Sequence, residues 1–192
     1  MNRNDKICII GFGSMGKMLA EGFLRTNTIS EAQLKLFTRT ERKAKTFIRN
    51  NPGVTLCDSA QNCILNSAII ILCIPPSESI SILHELKEHI TSKQIIVSLV
   101  GSLTIEIIQR ILPHKIIRMV PSITSEVDEG TFIISKSVYC SDTDINKIYR
   151  LFSYLGEVLE VPESKIEAFT DLTSCSPGIL SAIFQEYVNS AV

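Results

Sequence analysis

The sequence predicts an α/β protein in which helices cover both faces of a doubly wound parallel sheet. Short apolar runs alternate with segments of helical periodicity through residue 120. The runs are rich in β-branched residues, as is typical of parallel strands buried on both faces. A glycine-rich turn joins the first run to the first helical segment. These observations predict a Rossmann-type nucleotide-binding domain over residues 1–162.

The elements of this domain follow in order along the chain. The first six predicted strands comprise residues 7–10, 34–38, 54–56, 68–74, 95–98 and 116–120. The predicted helices between them comprise residues 15–25, 41–50, 59–65, 77–90 and 104–111. Turn formers stand at the boundaries, namely Asn51-Pro52-Gly53, Pro75-Pro76, Gly101 and Pro113. A strand pair at 131–135 and 138–140, a helix at 143–155 and a last strand at 157–161 complete the prediction.

Residues 163–192 lack strand patterns and are predicted to be helical, with an interruption at Pro177-Gly178. Apolar residues recur at three- and four-residue spacing on the final helix: Ile179, Leu180, Ile183, Phe184, Tyr187, Val188 and Ala191. This stripe packs on the α/β domain, or on a second subunit, or belongs to a longer protein. We expect the beginning of an all-helical dimerisation domain, which makes the chain its own partner in a homodimer or larger oligomer.

Composition narrows the class of protein. Hydrophobic residues make up 45%, charged residues 20%, and the net charge is −1, which argues against a nucleic-acid or anionic-membrane partner. The longest apolar run, residues 68–74, is too short to span a bilayer, and no signal-peptide pattern begins the sequence. The six cysteines form no C-x-x-C pair and the three histidines have no metal-ligand spacing. We therefore expect a reduced, cytoplasmic protein without a metal.

The turn after the first strand has the G-x-G-x-x-G pattern of dinucleotide sites. Gly11 permits the tight turn, Gly13 lets the backbone approach a pyrophosphate, and Gly16 lets the helix pack on the strand. Phe12, Ser14 and Met15 fill the pattern. The helix N-terminus offers N–H groups and a partial positive charge to phosphate. The alternative interpretation is a glycine-rich turn with a purely structural role.

The end of the second strand distinguishes the two nicotinamide cofactors, because an acid there binds a ribose 2′-hydroxyl and an arginine accommodates a 2′-phosphate. This chain has Thr38-Arg39-Thr40 at that position. A guanidinium between two hydroxyls suits a phosphate, so NADP is predicted over NAD. A solvated basic first turn of the next helix is the alternative, and it accounts well for Arg42, Lys43 and Lys45.

Several further segments, in this order, resemble the pyrroline-5-carboxylate reductase family, which reduces a cyclic imine to proline with NAD(P)H. The segments are Gly11-Phe12-Gly13-Ser14-Met15-Gly16, Thr38-Arg39-Thr40 with Glu41-Arg42-Lys43-Ala44, Val97-Ser98-Leu99 with Leu103-Thr104-Ile105, Ile117-Arg118-Met119-Val120-Pro121-Ser122, Glu129-Gly130-Thr131, Leu155-Gly156-Glu157, Glu160-Val161-Pro162-Glu163 and Leu172-Thr173-Ser174-Cys175-Ser176-Pro177-Gly178. The variants Val120-Pro121-Ser122-Ile123-Thr124 and Ser174-Cys175 resemble its divergent late competence branch, ComER.

The resemblance implies a role for each part of the site. It assigns the pyrophosphate to the glycine turn and the 2′-phosphate to Thr38, Arg39 and Thr40. The ribose and nicotinamide would lie along Cys73, Ile74 and Pro75. The residues facing a small imine substrate would be Ser122, Thr173, Ser174, Cys175 and Ser176. No catalytic residue is assigned, since the nicotinamide itself carries the hydride.

The chain departs from the family pattern within the predicted site. Pro75 replaces a lysine of the family, Ser122 replaces an asparagine, and serines replace glycines in the loop that ends at Pro177. The family also continues into further helices that intertwine with a second subunit. Three functions stay open: an NADP-dependent imine reductase, a ComER-like accessory protein that binds the dinucleotide without turnover, and a dimerising scaffold.

Overall fold

A single eight-stranded sheet forms the centre of the protein, in the order β3-β2-β1-β4-β5-β6-β7-β8. The computed structural model describes residues 5–122, 124–125 and 129–191. The strands are β1 (Lys6–Ile10), β2 (Leu34–Phe37), β3 (Thr55–Leu56), β4 (Ser67–Leu72), β5 (Ile95–Ser98), β6 (Lys115–Pro121), β7 (Gly130–Lys136) and β8 (Gly156–Glu160). Neighbouring strands are parallel except β6 and β7, which pair antiparallel.

Within the part of the chain that the structure describes, α-helices connect these strands except β6 and β7, and two further α-helices follow β8. They are α1 (Ser14–Arg25), α2 (Glu41–Asn50), α3 (Ala60–Ile64), α4 (Pro76–Leu86), α5 (Ile105–Ile111), α6 (Asp142–Phe152), α7 (Ile166–Thr170) and α8 (Ser176–Ser190). The elements predicted through residue 120 are confirmed to within a few residues, and so is the Rossmann-type fold. None of the helices in the described ranges is both long and apolar enough to cross a membrane.

The first strand is buried on both faces, as its unbroken apolar run predicts. Ile7 and Ile9 join one apolar cluster, while Cys8 and Ile10 join the cluster on the opposite face. The chain leaves β1 toward β2 and β3 on one side and then returns to β4 on the other. Where the strand order reverses in this way, the loops at the carboxyl ends diverge and leave a crevice. The glycine turn after β1 lies at that crevice.

The predicted strand at residues 138–140 is wrong. The backbone N–H of Cys140 donates to the carbonyl oxygen of Ser137 at 3.1 Å and closes a turn there. The hydroxyl of Ser137 accepts a hydrogen bond from the N–H of Ile116 at 3.1 Å. Ser141 then caps α6 through a capping box with Asp144. Because the turn at residues 137–140 leads directly to the helix cap at Ser141, these residues are too few to form a strand. The neighbours of β7 in the sheet are β6 and β8.

The predicted interruption at Pro177-Gly178 is also wrong. A 3-10 turn at Glu163–Lys165 leads into α7, a π-helical segment at Asp171–Cys175 follows, and α8 continues from it. Pro177 stands in the first turn of α8, where a residue without an N–H is tolerated. The helical path therefore widens before the proline and does not stop at it.

The apolar stripe of α8 does not pack on the α/β domain. No residue of α8 is buried, and the large apolar side chains of the stripe are between 47% and 71% exposed. They are Ile179, Leu180, Ile183, Phe184, Tyr187 and Val188. Of the three coverings that the sequence allowed, packing within this domain is therefore wrong for the described chain.

Candidate dinucleotide-binding site

The glycine turn ties together the carboxyl ends of three strands. Gly11 has a φ of +97°, which side-chain-bearing residues rarely adopt. A Cβ at this position would also overlap the carbonyl group of Cys73. The N–H of Gly11 donates to the carbonyl of Phe37, and the N–H of Cys73 donates to that of Ile10, both at 2.8 Å. These bonds link the end of β1 to the ends of β2 and β4, so the floor of the crevice is rigid.

The other two glycines of the motif face different surroundings. A Cβ at Gly16 would overlap the carbonyl oxygen of Gly11, so the close packing of α1 on the turn requires glycine here. A Cβ at Gly13 would have no atom within 4 Å. Gly13 caps α1 without a side-chain hydrogen bond, and no acid lies in the first turn. This end of α1 is therefore open to a phosphate, and the space beside Gly13 fits the close approach of a pyrophosphate.

A cleft of about 600 Å³ opens at this end of the sheet, a volume typical of sites for small ligands and cofactors. It is lined by every residue predicted to bind the cofactor except Gly16: Gly11, Phe12, Gly13, Ser14, Met15, Thr38, Arg39, Thr40, Cys73, Ile74 and Pro75. Gly16 lies beneath the turn. The ring of Phe12 packs against Phe47 with centroids 5.2 Å apart. Because that side chain is buried, Phe12 would serve a ligand through its backbone.

Arg39 has a partner that the sequence analysis missed. Its guanidinium is paired with the carboxylate of Glu78, which lies in the first turn of α4 and lines the same cleft. Thr40 caps α2 without a side-chain hydrogen bond to that helix, so its hydroxyl is available beside Arg39. The sequence offered one indication of Glu78: it stands one turn beyond Pro75, on a helix that begins at the crevice.

The segment after β4 forms the inner wall of the cleft. Burial raises the pKa of the Cys73 thiol to about 12, so the group is protonated and unreactive at neutral pH. Pro75 caps α4 with a φ of −60° and Pro76 begins the helix. Since proline has no N–H, this wall offers a ligand apolar contact and carbonyl oxygens.

Ser122 and Thr173, both predicted to face the substrate, lie against each other. The hydroxyl of Ser122 donates to the carbonyl oxygen of Thr173 at 3.2 Å. The residue four positions beyond Thr173 is Pro177, which cannot supply the usual helical hydrogen bond. Ser122 is also 2.9 Å from the hydroxyl of Thr124. Ile123, a member of the same motif, lies outside the described residues.

The other three residues predicted to face the substrate differ in burial and in hydrogen bonding. The hydroxyl of Ser174 is buried and has no hydrogen-bond partner within the described chain. Cys175 is exposed, and the hydroxyl of Ser176 donates to the carbonyl of Asp171 at 2.7 Å. A buried hydroxyl without a partner is costly unless another polar group bonds it. Ser174 therefore has a hydroxyl that no group in the described residues bonds, whereas Cys175 is exposed to solvent, and neither residue lines the cleft.

A buried arginine on β6 holds this C-terminal segment in place. Arg118 donates to the carbonyl of Gly101 at 2.7 Å and to the carboxylate of Glu167 at 2.6 Å. Its second partner, Glu163, lies 3.5 Å away and accepts a hydrogen bond from the N–H of Ile105 at 2.7 Å. The sequence marked Arg118 only as part of a motif. The structure shows that it fixes α7, and thereby the segment that contacts Ser122.

Comparisons with known proteins show which families the chain is similar to. A family model described as NADP oxidoreductase coenzyme F420-dependent matches residues 6–101. Pyrroline-5-carboxylate reductase 3 of Bacillus subtilis is 29% identical over 98% of this chain and 69% of its own length. ComE operon protein 4 of the same organism is 22% identical over 97% of this chain and 68% of its own length. The matching relatives thus include a pyrroline-5-carboxylate reductase and ComE operon protein 4.

Two solved structures share the fold. A Plasmodium falciparum pyrroline carboxylate reductase with NADP bound superposes with a TM-score of 0.87 at 22% identity, covering 100% of this chain and 70% of that one. The enzyme of Coxiella burnetii gives a TM-score of 0.91 at 22% identity, covering 98% and 70%. The family model covers half of the chain. The protein therefore belongs to the oxidoreductase family of that model and, as its motifs predicted, to the pyrroline-5-carboxylate reductase family.

Proposed function

We propose that this chain binds NADP(H) in the crevice cleft and reduces a small cyclic imine, pyrroline-5-carboxylate, to L-proline. The observation that carries the proposal is the convergence of the open space at Gly13, the free end of α1 and Arg39 in one cleft. The nucleotide bound in one related structure and the names of the relatives support the reaction class.

Each part of the cleft suits one part of the cofactor. The first turn of α1 would hold the pyrophosphate through backbone N–H groups. Arg39, with the hydroxyls of Thr38 and Thr40, would hold the 2′-phosphate at the end of β2. The wall from Cys73 to Pro75 would lie along the ribose and nicotinamide.

The reacting end of the cofactor would face Ser122. Parallel strands β4, β5 and β6 end at the same edge of the sheet, and Ser122 directly follows β6. In this proposal the nicotinamide points to that edge, toward the hydroxyls of Ser122 and Ser174. The nicotinamide supplies the hydride when bound. The role of these hydroxyls is to orient the substrate by hydrogen bonds, and the groups buried around them exclude water.

The helical segment has a separate role in the proposal. In this proposal residues 1–162 form the cofactor domain and 163–192 begin a dimerisation domain. An exposed apolar stripe of this kind marks a protein-binding surface, and the stripe on α8 runs along the whole helix. The proposed partner of this stripe is a second copy of the chain. Self-association can be measured by analytical ultracentrifugation. A Phe184→Glu variant that associates as strongly as wild type would contradict this role.

A specific observation favours a second candidate, a ComER-like accessory protein that binds the dinucleotide without turnover. Pro75 stands where the reductases have a lysine, and it has no N–H to offer in the cleft wall. ComE operon protein 4 matches nearly the whole chain. In this alternative the glycine turn and Arg39 keep their roles, and only the reaction is lost.

Nucleotide titration followed by a turnover assay separates the candidates. NADPH and NADH are titrated by fluorescence, and pyrroline-5-carboxylate is then added while nicotinamide absorbance is followed. Binding with oxidation supports the reductase, binding without oxidation supports the accessory protein, and absence of binding refutes both. Arg39→Asp should weaken NADPH binding much more than NADH binding. Arg42→Asp, an exposed basic residue on the adjoining helix, is the matched control and should change both little.

A further inference from the structure

An acidic side chain occupies the position at which the 2′-phosphate of NADPH would meet Arg39. Glu78 is 39 residues from Arg39 in the chain, yet their side chains form an ion pair. Arg39 belongs to the loop after β2, and Glu78 belongs to the helix that follows β4. The pair therefore crosses the cleft from one wall to the other. Arg39 is 72% exposed and Glu78 30% exposed, so a ligand entering the cleft reaches both groups.

The backbone presents Glu78 at a defined place. Its N–H donates to the carbonyl of Pro75 at 3.0 Å, and the neighbouring hydroxyl of Ser79 donates to the carbonyl of Pro76 at 2.7 Å. Two consecutive prolines restrict the chain just before this turn. The carboxylate is thus carried by the rigid start of α4 and not by a flexible loop.

The two cofactors would experience this carboxylate differently. A 2′-phosphate carries about −1.5 to −2 charge at neutral pH, so it must displace Glu78 from Arg39 and remain beside a like charge. A ribose 2′-hydroxyl is neutral and can donate a hydrogen bond to a carboxylate, which is how an acid at the end of the second strand favours NADH in Rossmann domains. Glu78 brings the same chemical group to the same place from a different element.

We propose that Glu78 is a specificity-determining residue of the cleft: its carboxylate weakens NADPH binding at Arg39 and strengthens NADH binding through the ribose 2′-hydroxyl. This inference rests on the proposed nucleotide binding and adds the residue that sets the ratio between the two cofactors. The pair with Arg39 makes the preference for NADPH smaller than the Thr38-Arg39-Thr40 segment alone would give.

The test compares two glutamates of the same helix. Glu78→Gln removes the charge at Arg39 and keeps the side-chain length. Glu85→Gln is the control, because Glu85 also lines the cleft but accepts a hydrogen bond from the amide of Gln61 at 2.7 Å. Affinities of NADPH and NADH are measured by fluorescence for wild type and both variants at low and high salt. The melting temperature of each variant serves as the check on folding.

Exposed ion pairs contribute little to stability, so Glu78→Gln should melt within about 2 °C of wild type. We expect its NADPH dissociation constant to fall about fivefold and its NADH dissociation constant to rise about twofold. Both changes should be smaller at high salt, because salt screens the interaction of exposed charges. The ratio of the two constants should stay unchanged in Glu85→Gln. An unchanged ratio in Glu78→Gln, with wild type binding NADPH, overturns the inference alone. Wild type that binds neither nucleotide overturns the inference and the proposed function together.

Discussion

Adding one methyl group at Gly13 and adding the same group at Gly16 should have opposite consequences. The two residues are three positions apart in one motif. A Cβ at Gly13 meets no atom within 4 Å, whereas a Cβ at Gly16 overlaps the carbonyl oxygen of Gly11. We therefore expect Gly13→Ala to fold normally and lose nucleotide binding. We expect Gly16→Ala to lose stability first, because backbone must move to make room.

The expected magnitudes follow from the two environments. At Gly13, alanine stabilises by restricting the unfolded chain and destabilises as a poorer helix cap than glycine, effects of about 0.5–1 kcal/mol each that nearly cancel. At Gly16, overpacking costs about 1–3 kcal/mol, which for a chain of this size lowers the melting temperature by about 3–10 °C. The same methyl group at Gly13 would occupy the place of the pyrophosphate, so NADPH affinity should fall by at least about tenfold, or 1.4 kcal/mol.

Thermal unfolding followed by circular dichroism and NADPH titration by fluorescence measure the two effects on the same samples. Gly53→Ala is unsuitable as a control because a Cβ there would crowd Glu31. Gly101→Ala is suitable, since a Cβ at Gly101 also has no atom within 4 Å, and Gly101 is outside the cleft lining. A Gly13→Ala variant that binds NADPH as wild type does, or that melts as low as Gly16→Ala, would contradict the contrast between the two glycines.

Three further outcomes are expected. Arg118→Met removes the partner of Glu163 and Glu167 and should lower the free energy of unfolding by about 1–3 kcal/mol. The loss is smaller than for a fully buried pair because the two acids are partly exposed. An unchanged melting temperature would contradict this expectation. Burial acts to raise the pKa of Asp144, but hydrogen bonds from Ser141 and Lys115 outweigh it and hold that pKa below its usual value. The stability from Asp144 is therefore present above its unfolded pKa of about 3.9 and lost as the pH falls through the lower folded pKa. Asp144→Asn should accordingly destabilise by about 1–2 kcal/mol at neutral pH, and the difference in urea unfolding should shrink as the pH falls below the unfolded pKa of about 3.9. Cys175 is exposed while the other five cysteines are buried or partly buried, so a thiol reagent should label the native protein rapidly at one site, and Cys175→Ser should abolish that phase.

Local pattern was sufficient for most of the fold. Strands such as β1 and β4 are unbroken apolar runs, and a chain so apolar has no alternative to burial on both faces. The glycine turn was equally predictable from the sequence, because residues with a side chain rarely adopt the φ of Gly11 and would clash at the position of Gly16. Both wrong predictions fell where local patterns compete. The segment at 138–140 resembles a strand but must reach a helix cap at Ser141, and Pro177 disrupts a helix interior but not a first turn.

The sequence indicated which residues line the cleft, but it did not indicate all the side chains that those residues contact. Thr38, Arg39 and the wall from Cys73 to Pro75 were predicted as members of one cleft, and the structure places them in one. Their binding of a dinucleotide, the preference for NADP, the imine substrate and the dimer stay predictions. Ser174 and Cys175 are neighbours on one helical turn, so their side chains diverge, and which of them is buried is set by what the helix packs against.

The α/β architecture follows from the sequence alone, and so do the position of the crevice and the residues of the glycine turn. These depend on backbone preference and on the burial of continuous apolar runs, which are properties of neighbouring residues. The packing of the whole chain brings Glu78 to Arg39, Ser122 to Thr173 and Arg118 to α7. Each of those contacts joins residues far apart in the chain. Their distances are set by the strand order and by where each loop leaves the sheet, which no local pattern encodes.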